Sequence, residues 1–173
     1  MEEETRKRKL NQELLKRLRS GDEMTVLKAL GELRSSGHLE YIPELLDIMS
    51  LSESEIVHRE MVSLLADIKV KAIIHYLIDG LKNPALQGVR SEIASVCWQS
   101  GMDYSEHIDL FIEIFLESDY MTSLESFSVI EQSLEYLTEE QCTQKRDLVL
   151  EGLDRVSEEK KPLVKELIYM LKS

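Results

Sequence analysis

A repeat of apolar residues, a little over thirty positions long, is the feature of this chain that most restricts its fold. Three apolar side chains with the spacing i, i+1, i+4 occur three times: Leu45, Leu46 and Met49; Leu77, Ile78 and Leu81; Phe111, Ile112 and Phe115. The copies are separated by 32 residues, from 45 to 77, and by 34 residues, from 77 to 111. A period of this size is typical of helical arrays in which each repeat is one helix pair. Such arrays present surfaces to partners and seldom carry chemistry of their own.

Amphipathic segments with short breaks predict ten helices in five antiparallel pairs. The expected ranges are 7–19 with 23–35, 39–50 with 53–68, 70–82 with 84–99, 104–117 with 120–136, and 139–156 with 158–172. No strand is expected, because β-branched residues do not alternate with polar ones. The sequence therefore predicts one all-α domain over residues 1–173, with residues 1–9 fraying at its start.

Capping residues mark the starts of several of these helices. A Ser, Thr, Asp or Asn side chain just before a helix accepts a hydrogen bond from a free backbone N–H of its first turn. Such starts are predicted at Ser52 with Glu55, at Asn83 before Pro84, at Asp119, at Thr138 with Gln141, and at Ser157.

Two stretches of the chain resemble the HEAT-like repeat family. Tyr41–Met49 is similar to the first helix of such a repeat, with its proline near the start and its paired leucines. Leu81–Pro84 followed by Val89–Ala94 is similar to the turn and the Val-Arg opening of the second helix. The resemblance covers roughly residues 10–137 and implies a right-handed α-α superhelix, an armadillo-like solenoid, that serves as a scaffold or adaptor. A tetratricopeptide array has a similar period, but its tryptophan-containing signature is absent here.

The net charge of −12 is concentrated in the middle of the chain. Residues 41–144 carry 5 basic and 19 acidic side chains, a balance of −14, whereas residues 1–40 (9 basic, 8 acidic) and 145–173 (7 basic, 6 acidic) are each at +1. An acidic field attracts basic partners and repels nucleic acid and anionic membranes. The charge therefore predicts a basic or amphipathic segment of another protein as the partner, and neither nucleic acid nor membrane. A surface that is acidic only for solvation is the first explanation of the same charge, since charge bears on solubility before it bears on partners.

Two rows of carboxylates stand out within this acidic middle. Asp109, Glu113 and Glu117 lie at i, i+4 and i+8 of one predicted helix, and Glu131 and Glu135 lie at i and i+4 of the next. Like charges at this spacing destabilise a helix by roughly 0.2–0.5 kcal/mol per pair. Since no lysine at i+4 offsets them, the fold is expected to gain nothing from them, and they are candidates for binding a partner.

Trp98, the single tryptophan, is a further candidate. Helical geometry places it away from the main apolar stripe, on a second stripe shared with Ala94. Packing between neighbouring repeats explains this position, and an anchor for a bound partner is the alternative, since tryptophan is favoured at binding hot spots.

The basic run Arg6–Lys9, continued by Lys16, Arg17 and Arg19, has several interpretations. It is first a solvated helix start. It also fits nucleic acid or a localisation receptor, or the acidic middle of a second copy in head-to-tail self-association.

The sequence contains no motif for catalysis, a metal or a cofactor. None of its four histidines has a second histidine at i+4, and no phosphate loop or nucleophile turn is present. Asp103, Glu106, His107 and Asp109 form the best metal candidate, but Asp103 and Glu106 have the spacing of a capping box, so no metal is expected. We expect no enzyme activity.

Cysteine usage, together with the lack of a signal peptide and of a long apolar run, predicts a cytoplasmic protein. Cys97 and Cys142 lie far apart within helical patterns, where free thiols are usually buried. No signal peptide or membrane-spanning run is recognised.

The leading functional hypothesis is a non-enzymatic protein–protein interaction or scaffold module with an acidic surface. One alternative is an enzyme like the HEAT-like proteins that excise damaged DNA bases, although these need a basic face for DNA. A second alternative is an acidic DNA mimic, in which carboxylates replace phosphates.

Overall fold

The computed structural model describes residues 10–36 and 39–172, and within these ranges the chain is helical without any strand. The prediction of an all-α fold is thus confirmed. The ten α-helices are α1 (Gln12–Leu18), α2 (Glu23–Ser36), α3 (Ile42–Leu51), α4 (Glu55–Ala66), α5 (Ala72–Lys82), α6 (Arg90–Ser100), α7 (Ile108–Glu117), α8 (Tyr120–Ser133), α9 (Glu139–Glu151) and α10 (Lys161–Met170). The predicted fraying of residues 1–9 and the basic run Arg6–Lys9 lie outside the described residues.

Several α-helices are shorter than predicted, because part of the predicted range forms a 3-10 helix instead. The 3-10 segments are Leu39–Tyr41, Pro84–Val89, Ser105–His107, Leu134–Tyr136, Leu153–Arg155 and Glu158–Lys160. The largest difference concerns the range 84–99, where a six-residue 3-10 segment precedes α6. Gly88 lies in this segment, and glycine is a poor former of α-helix.

Three of the predicted helix starts are confirmed by side-chain hydrogen bonds. Asn83 Oδ1 accepts from the backbone N–H of Ala85 at 3.0 Å, and Asp119 Oδ1 accepts from that of Thr122 at 3.1 Å. Thr138 and Gln141 form the full capping box, with reciprocal bonds of 3.2 and 2.9 Å.

Other predicted caps are wrong. Ser54 caps α4, since its Oγ accepts from Val57 N–H at 3.2 Å, whereas Ser52 is extended and ends α3. The predicted position was too early because α3 continues to Leu51. Ser157 occupies an N-cap position but makes no side-chain capping bond within the described chain. Asp103 Oδ1 accepts from Ser105 N–H at 2.9 Å, which is a local turn and not the expected capping box with Glu106.

The repeated apolar trios form the centre of a single core. Every residue of the three trios is at most 3% exposed, so their predicted role in the core is confirmed. The second helices of consecutive pairs contact one another in order, α2 with α4, α4 with α6, α6 with α8, and α8 with α10. Among the first helices, α3 contacts α5 and α7 contacts α9.

Both cysteines are buried and unpaired, as the sequence predicted. Burial raises the pKa of the Cys97 thiol to about 12. No helix in the described part of the chain has the length and apolarity that a membrane span requires.

Candidate partner-binding groove

A groove with a volume of about 500 Å³ crosses three consecutive second helices, α4, α6 and α8. Each helix contributes one carboxylate to its lining: Glu55 from α4, Glu92 from α6 and Glu125 from α8. We call this surface the α4–α6–α8 groove. Its position follows from the fold, because the second helices lie side by side and turn their polar faces away from the core.

The Glu92 carboxylate is held in place by a histidine from the neighbouring helix. His58 Nδ1 lies 2.9 Å from Glu92 Oε1, and His58 Nε2 lies 3.0 Å from the main-chain oxygen of Ser52. Both partners are acceptors, so the doubly protonated imidazolium satisfies both and a neutral ring satisfies one. The second oxygen of Glu92 makes no hydrogen bond to any residue the structure describes.

The Glu125 carboxylate is held in the same way by Trp98. The indole Nε1–H of Trp98 donates to Glu125 Oε2, and the ring packs against the core. Trp98 therefore joins α6 to α8, in agreement with the prediction that it packs between neighbouring helix pairs. Its use by a partner stays a prediction. Within the described residues, Glu125 keeps one oxygen without a hydrogen bond.

These two contacts belong to a recurring arrangement along the second helices. In each case, a donor from one helix meets an acid from the next pair. Arg34 of α2 donates to Glu60 of α4 at 2.9 Å and also pairs with Asp67 just after α4. Glu60 raises the pKa of the Arg34 guanidinium. The contacts Arg34–Glu60, His58–Glu92 and Trp98–Glu125 thus connect four consecutive second helices.

The remaining lining of the groove is mostly small and polar. Ser63, Ser91, Ser95 and Gln99 offer hydroxyl and amide groups, and Gln99 Nε2 already donates to Ser95 Oγ at 2.8 Å. Val62 is the one aliphatic side chain in the lining. These groups can form hydrogen bonds with a polar ligand.

Arg59 is the one Lys or Arg side chain in the lining, and it is exposed. Within the described residues it forms no ion pair, so its five N–H donors are available to carbonyl or carboxylate groups of a ligand. Three carboxylates against this one guanidinium leave the groove acidic.

No protein-family model, curated protein or solved structure matches this chain. The resemblance to HEAT-like repeats therefore stays a prediction.

The predicted acidic row on α7 lies elsewhere and is partly paired within the chain. Asp109 Oδ1 lies 2.7 Å from Lys145 Nζ of α9, and Glu117 Oε1 lies 2.6 Å from Arg155 Nη1. The sequence did not predict these two partners, because the cations come from the next helix pair and not from i+4. That the fold gains no stability from the row stays a prediction. Glu113 is exposed and makes no ion pair among the described residues.

The other two predicted acids, Glu131 and Glu135, lie neither in the α4–α6–α8 groove nor on α7. Glu131 and Glu135 line a smaller cavity of about 270 Å³ with Gly101, Met102 and Tyr136, near the end of α6. Hydrogen bonding to the Glu135 carboxylate raises the pKa of the Tyr136 hydroxyl. The five predicted acids are thus divided between α7 and the end of α8, and none lines the α4–α6–α8 groove. Their role in partner binding stays a prediction.

The groove acids were missed because only acids within one helix were compared. His58 and Glu92 are 34 residues apart, which is the repeat period itself. Comparing residues one period apart could have found this pair. In the described part of the chain, no group of three or more His, Cys, Asp or Glu side chains is placed to hold a metal ion.

Proposed function

We propose that this protein is a non-enzymatic interaction module and that its α4–α6–α8 groove binds a basic segment of another protein. The observation that carries the proposal is that two carboxylates are each held by a hydrogen bond from the preceding second helix, Glu92 by His58 and Glu125 by Trp98. Each retains an oxygen that can accept from a lysine or arginine of the ligand. Acceptors that are already oriented lose little conformational entropy on binding, which favours affinity.

We propose further that the helix pairs stack as a HEAT-like α-α superhelix. The ordered contacts along α2, α4, α6, α8 and α10 support this architecture, as do the contacts α3–α5 and α7–α9. In such a stack, the row of second helices provides one continuous surface. Solution scattering from the full chain tests the elongated, curved shape that a stack of five pairs requires.

We also propose that the protein acts in the cytoplasm, since it keeps two buried, unpaired thiols. An enzyme that excises DNA bases is not favoured, because carboxylates in the groove repel phosphates. A titration with duplex DNA at low salt tests this directly, and tight binding would contradict the proposal.

The binding proposal can be tested with the intrinsic fluorescence of Trp98. Because Trp98 is the only tryptophan and is bonded to Glu125, its emission reports on events in the groove. A short lysine-containing peptide is titrated into the full chain, first in low salt and then in high salt. Saturable binding that weakens with salt is expected, since exposed charges are screened.

The decisive variant is Glu92→Gln with Glu125→Gln. Glutamine keeps an oxygen that accepts from His58 and Trp98, so the fold is retained while both charges are lost. Affinity should fall at least tenfold, because one hydrogen bond to a charged group is worth about 1.5–3 kcal/mol. Glu113→Gln on α7 is the matched control, with the same chemical change outside the groove. Equal affinity of wild type and the double variant would refute the assignment of the groove.

A further inference from the structure

We infer that this protein has a second docking surface, a cavity between its α1–α2 turn and its α3–α4 turn, and that this cavity binds an amphipathic helix of another protein with basic residues beside its apolar face. The site is separate from the α4–α6–α8 groove and goes beyond the function proposed above. Three observations support it: an apolar cavity with exposed apolar side chains around it, a lining whose polar groups are already bonded, and an acidic rim.

The cavity has a volume of about 640 Å³. Four of its lining residues are core side chains that are each at most 8% exposed: Leu18, Val26, Ile48 and Val57. We call it the inter-turn cavity. An apolar side chain that enters it would contact the hydrophobic core directly, so its binding is favoured by the burial of apolar surface.

Large apolar side chains are exposed around this cavity. Leu51, the last residue of α3, belongs to the lining and is 84% exposed. Met24 and Ile56 are 60% and 47% exposed, and each is the second residue of its helix, α2 or α4. These two helices begin side by side, since Ser54 Oγ just before α4 donates to Glu23 Oε2 of α2 at 2.5 Å. Exposed apolar side chains that are grouped in this way mark an interaction site.

The polar groups of the lining favour a helical ligand over an extended one, because they are already in use. Ser52 Oγ accepts from Ser54 N–H at 3.2 Å, and Ser54 Oγ accepts from Val57 N–H at 3.2 Å while it donates to Glu23. The main-chain oxygen of Ser52 lies 3.0 Å from His58 Nε2. An extended segment would therefore leave backbone N–H and C=O groups without partners. A helix forms these bonds internally and places one apolar face in an apolar groove.

The rim of the inter-turn cavity is acidic. Arg19 pairs with Glu44, so its charge is neutralised within the chain. Glu53 lies in the α3–α4 turn, caps neither helix and makes no ion pair with any residue that the structure describes. Together with Glu23 it gives the lining a negative charge. Lysine or arginine beside the apolar face of the ligand complements this charge, whereas a second copy of this chain or an anionic membrane would be repelled.

The probe is a synthetic peptide of leucine and lysine, with leucines at i, i+3, i+4 and i+7 so that they form one face of a helix. A second peptide has the same composition in an order that gives no apolar face. A third peptide keeps the leucine positions and has glutamate in place of lysine. Each peptide carries a fluorescent label and is titrated into the full chain, with binding followed by fluorescence anisotropy.

The decisive variant is Leu51→Gln. Because Leu51 is exposed, this substitution should leave the fold intact. Leu150→Gln is the matched control, since Leu150 is also exposed (44%) near the end of a helix, α9, but belongs to the last helix pair. Glu53→Gln removes one charge from the rim, and Glu113→Gln on α7 is its control.

The leucine–lysine helix should bind more tightly than both other peptides, and Leu51→Gln should weaken its binding by about fivefold or more, as for an apolar anchor at an interface. Glu53→Gln should weaken it mainly at low salt. Both controls should leave it unchanged. Equal affinity of wild type and Leu51→Gln would overturn the inference, and so would equal affinity of the helical peptide and its scrambled form. Absence of binding by the helical peptide would also overturn it.

The same titrations in the Glu92→Gln, Glu125→Gln variant separate this site from the α4–α6–α8 groove. Binding that persists in this variant and is weakened by Leu51→Gln belongs to the inter-turn cavity. Binding that is lost in this variant and retained in Leu51→Gln would overturn the inference and leave the proposed function standing.

Two further measurements distinguish other occupants of the cavity. Sedimentation of the wild type tests for self-association, and flotation with vesicles of zwitterionic or anionic phospholipid tests for membrane binding. A monomer that does not float with vesicles supports a protein partner. Self-association or vesicle binding that Leu51→Gln abolishes would overturn the inference.

Discussion

The ammonium of Lys160 donates a hydrogen bond to the main-chain oxygen of Phe115, 45 residues earlier, at 3.0 Å. It also donates to the main-chain oxygens of Leu116 at 2.9 Å and Ser118 at 2.8 Å, which uses its three N–H donors, and its Nζ lies 3.3 Å from Ser123 Oγ. The last carbonyls of α7 have no partner within their own helix, and a cation is favourable at this end. Lys160 is only 2% exposed, and this burial lowers its pKa. One side chain therefore ties the last helix pair to the turn between α7 and α8.

Replacing this lysine should destabilise the fold strongly. Lys160→Met keeps the aliphatic length but leaves several buried carbonyls without a donor, which should lower the free energy of unfolding by about 2–4 kcal/mol. Urea unfolding monitored by circular dichroism measures the change. Lys165→Met, on the exposed face of α10, is the control and should change stability little. If Lys160→Met lowered the free energy of unfolding no more than Lys165→Met does, Lys160 would not stabilise the contact between the last helix pair and α7.

The helix cap at Asp119 should contribute stability that depends on pH. Hydrogen bonds from the backbone and hydroxyl of Thr122 lower the pKa of Asp119 below its ordinary value of 3.8. The carboxylate is therefore stabilising above the unfolded-state pKa, and this contribution is lost as the pH falls through the lower, folded-state pKa. Asp119→Ala should cost about 1 kcal/mol at neutral pH.

Asp119→Asn is the informative companion variant, because the amide oxygen can still cap α8 but does not titrate. Unfolding is measured in urea at neutral pH and near pH 3. The free energy of unfolding of the wild type, relative to that of Asp119→Asn, should be lower near pH 3 than at neutral pH. A difference that is independent of pH would contradict the assigned cause of the pKa shift.

The thiol of Cys97 should be inert in the folded protein. It has no exposed surface, and burial raises its pKa to about 12, so almost no thiolate exists near neutral pH. Iodoacetamide at pH 8, followed by mass spectrometry, should label Cys97 only after urea is added. Labelling of Cys97 at equal rates with and without urea would show that the α6 region opens readily.

Two glycines should respond to alanine with opposite signs. A Cβ at Gly80 would lie 2.7 Å from Leu46 Cδ1 and 3.4 Å from Ile93 Cδ1, whereas one at Gly31 would meet nothing within 4 Å. Gly31→Ala should stabilise α2 by about 0.5–1 kcal/mol, since glycine weakens a helix interior. Gly80→Ala should destabilise by about 1–3 kcal/mol through overpacking between α3 and α5. Thermal unfolding of both variants compares them, and stabilisation by Gly80→Ala would disprove the close packing of these helices.

The core and many helix boundaries could be read from local patterns. Leu45 and Phe111 are buried because their helices have one apolar face, and that periodicity is visible in the sequence. Asn83 and Thr138 were recognised because a cap uses residues only a few positions apart. Ser52 was misassigned by two residues, since the end of α3 depends on where the next helix begins.

The candidate site and the ion pairs depend on distances along the chain that local patterns do not cover. His58 meets Glu92, Asp109 meets Lys145, and Lys160 meets Phe115, each across more than 30 residues. From the sequence alone, every acidic residue in the middle of this chain is an equal candidate for binding a partner. The sequence by itself determined the helices, the apolar core and the acidic character of the protein, because these follow from neighbouring residues. Only the tertiary structure decided which carboxylates are neutralised and which remain open in a groove, because that depends on which helices stack side by side.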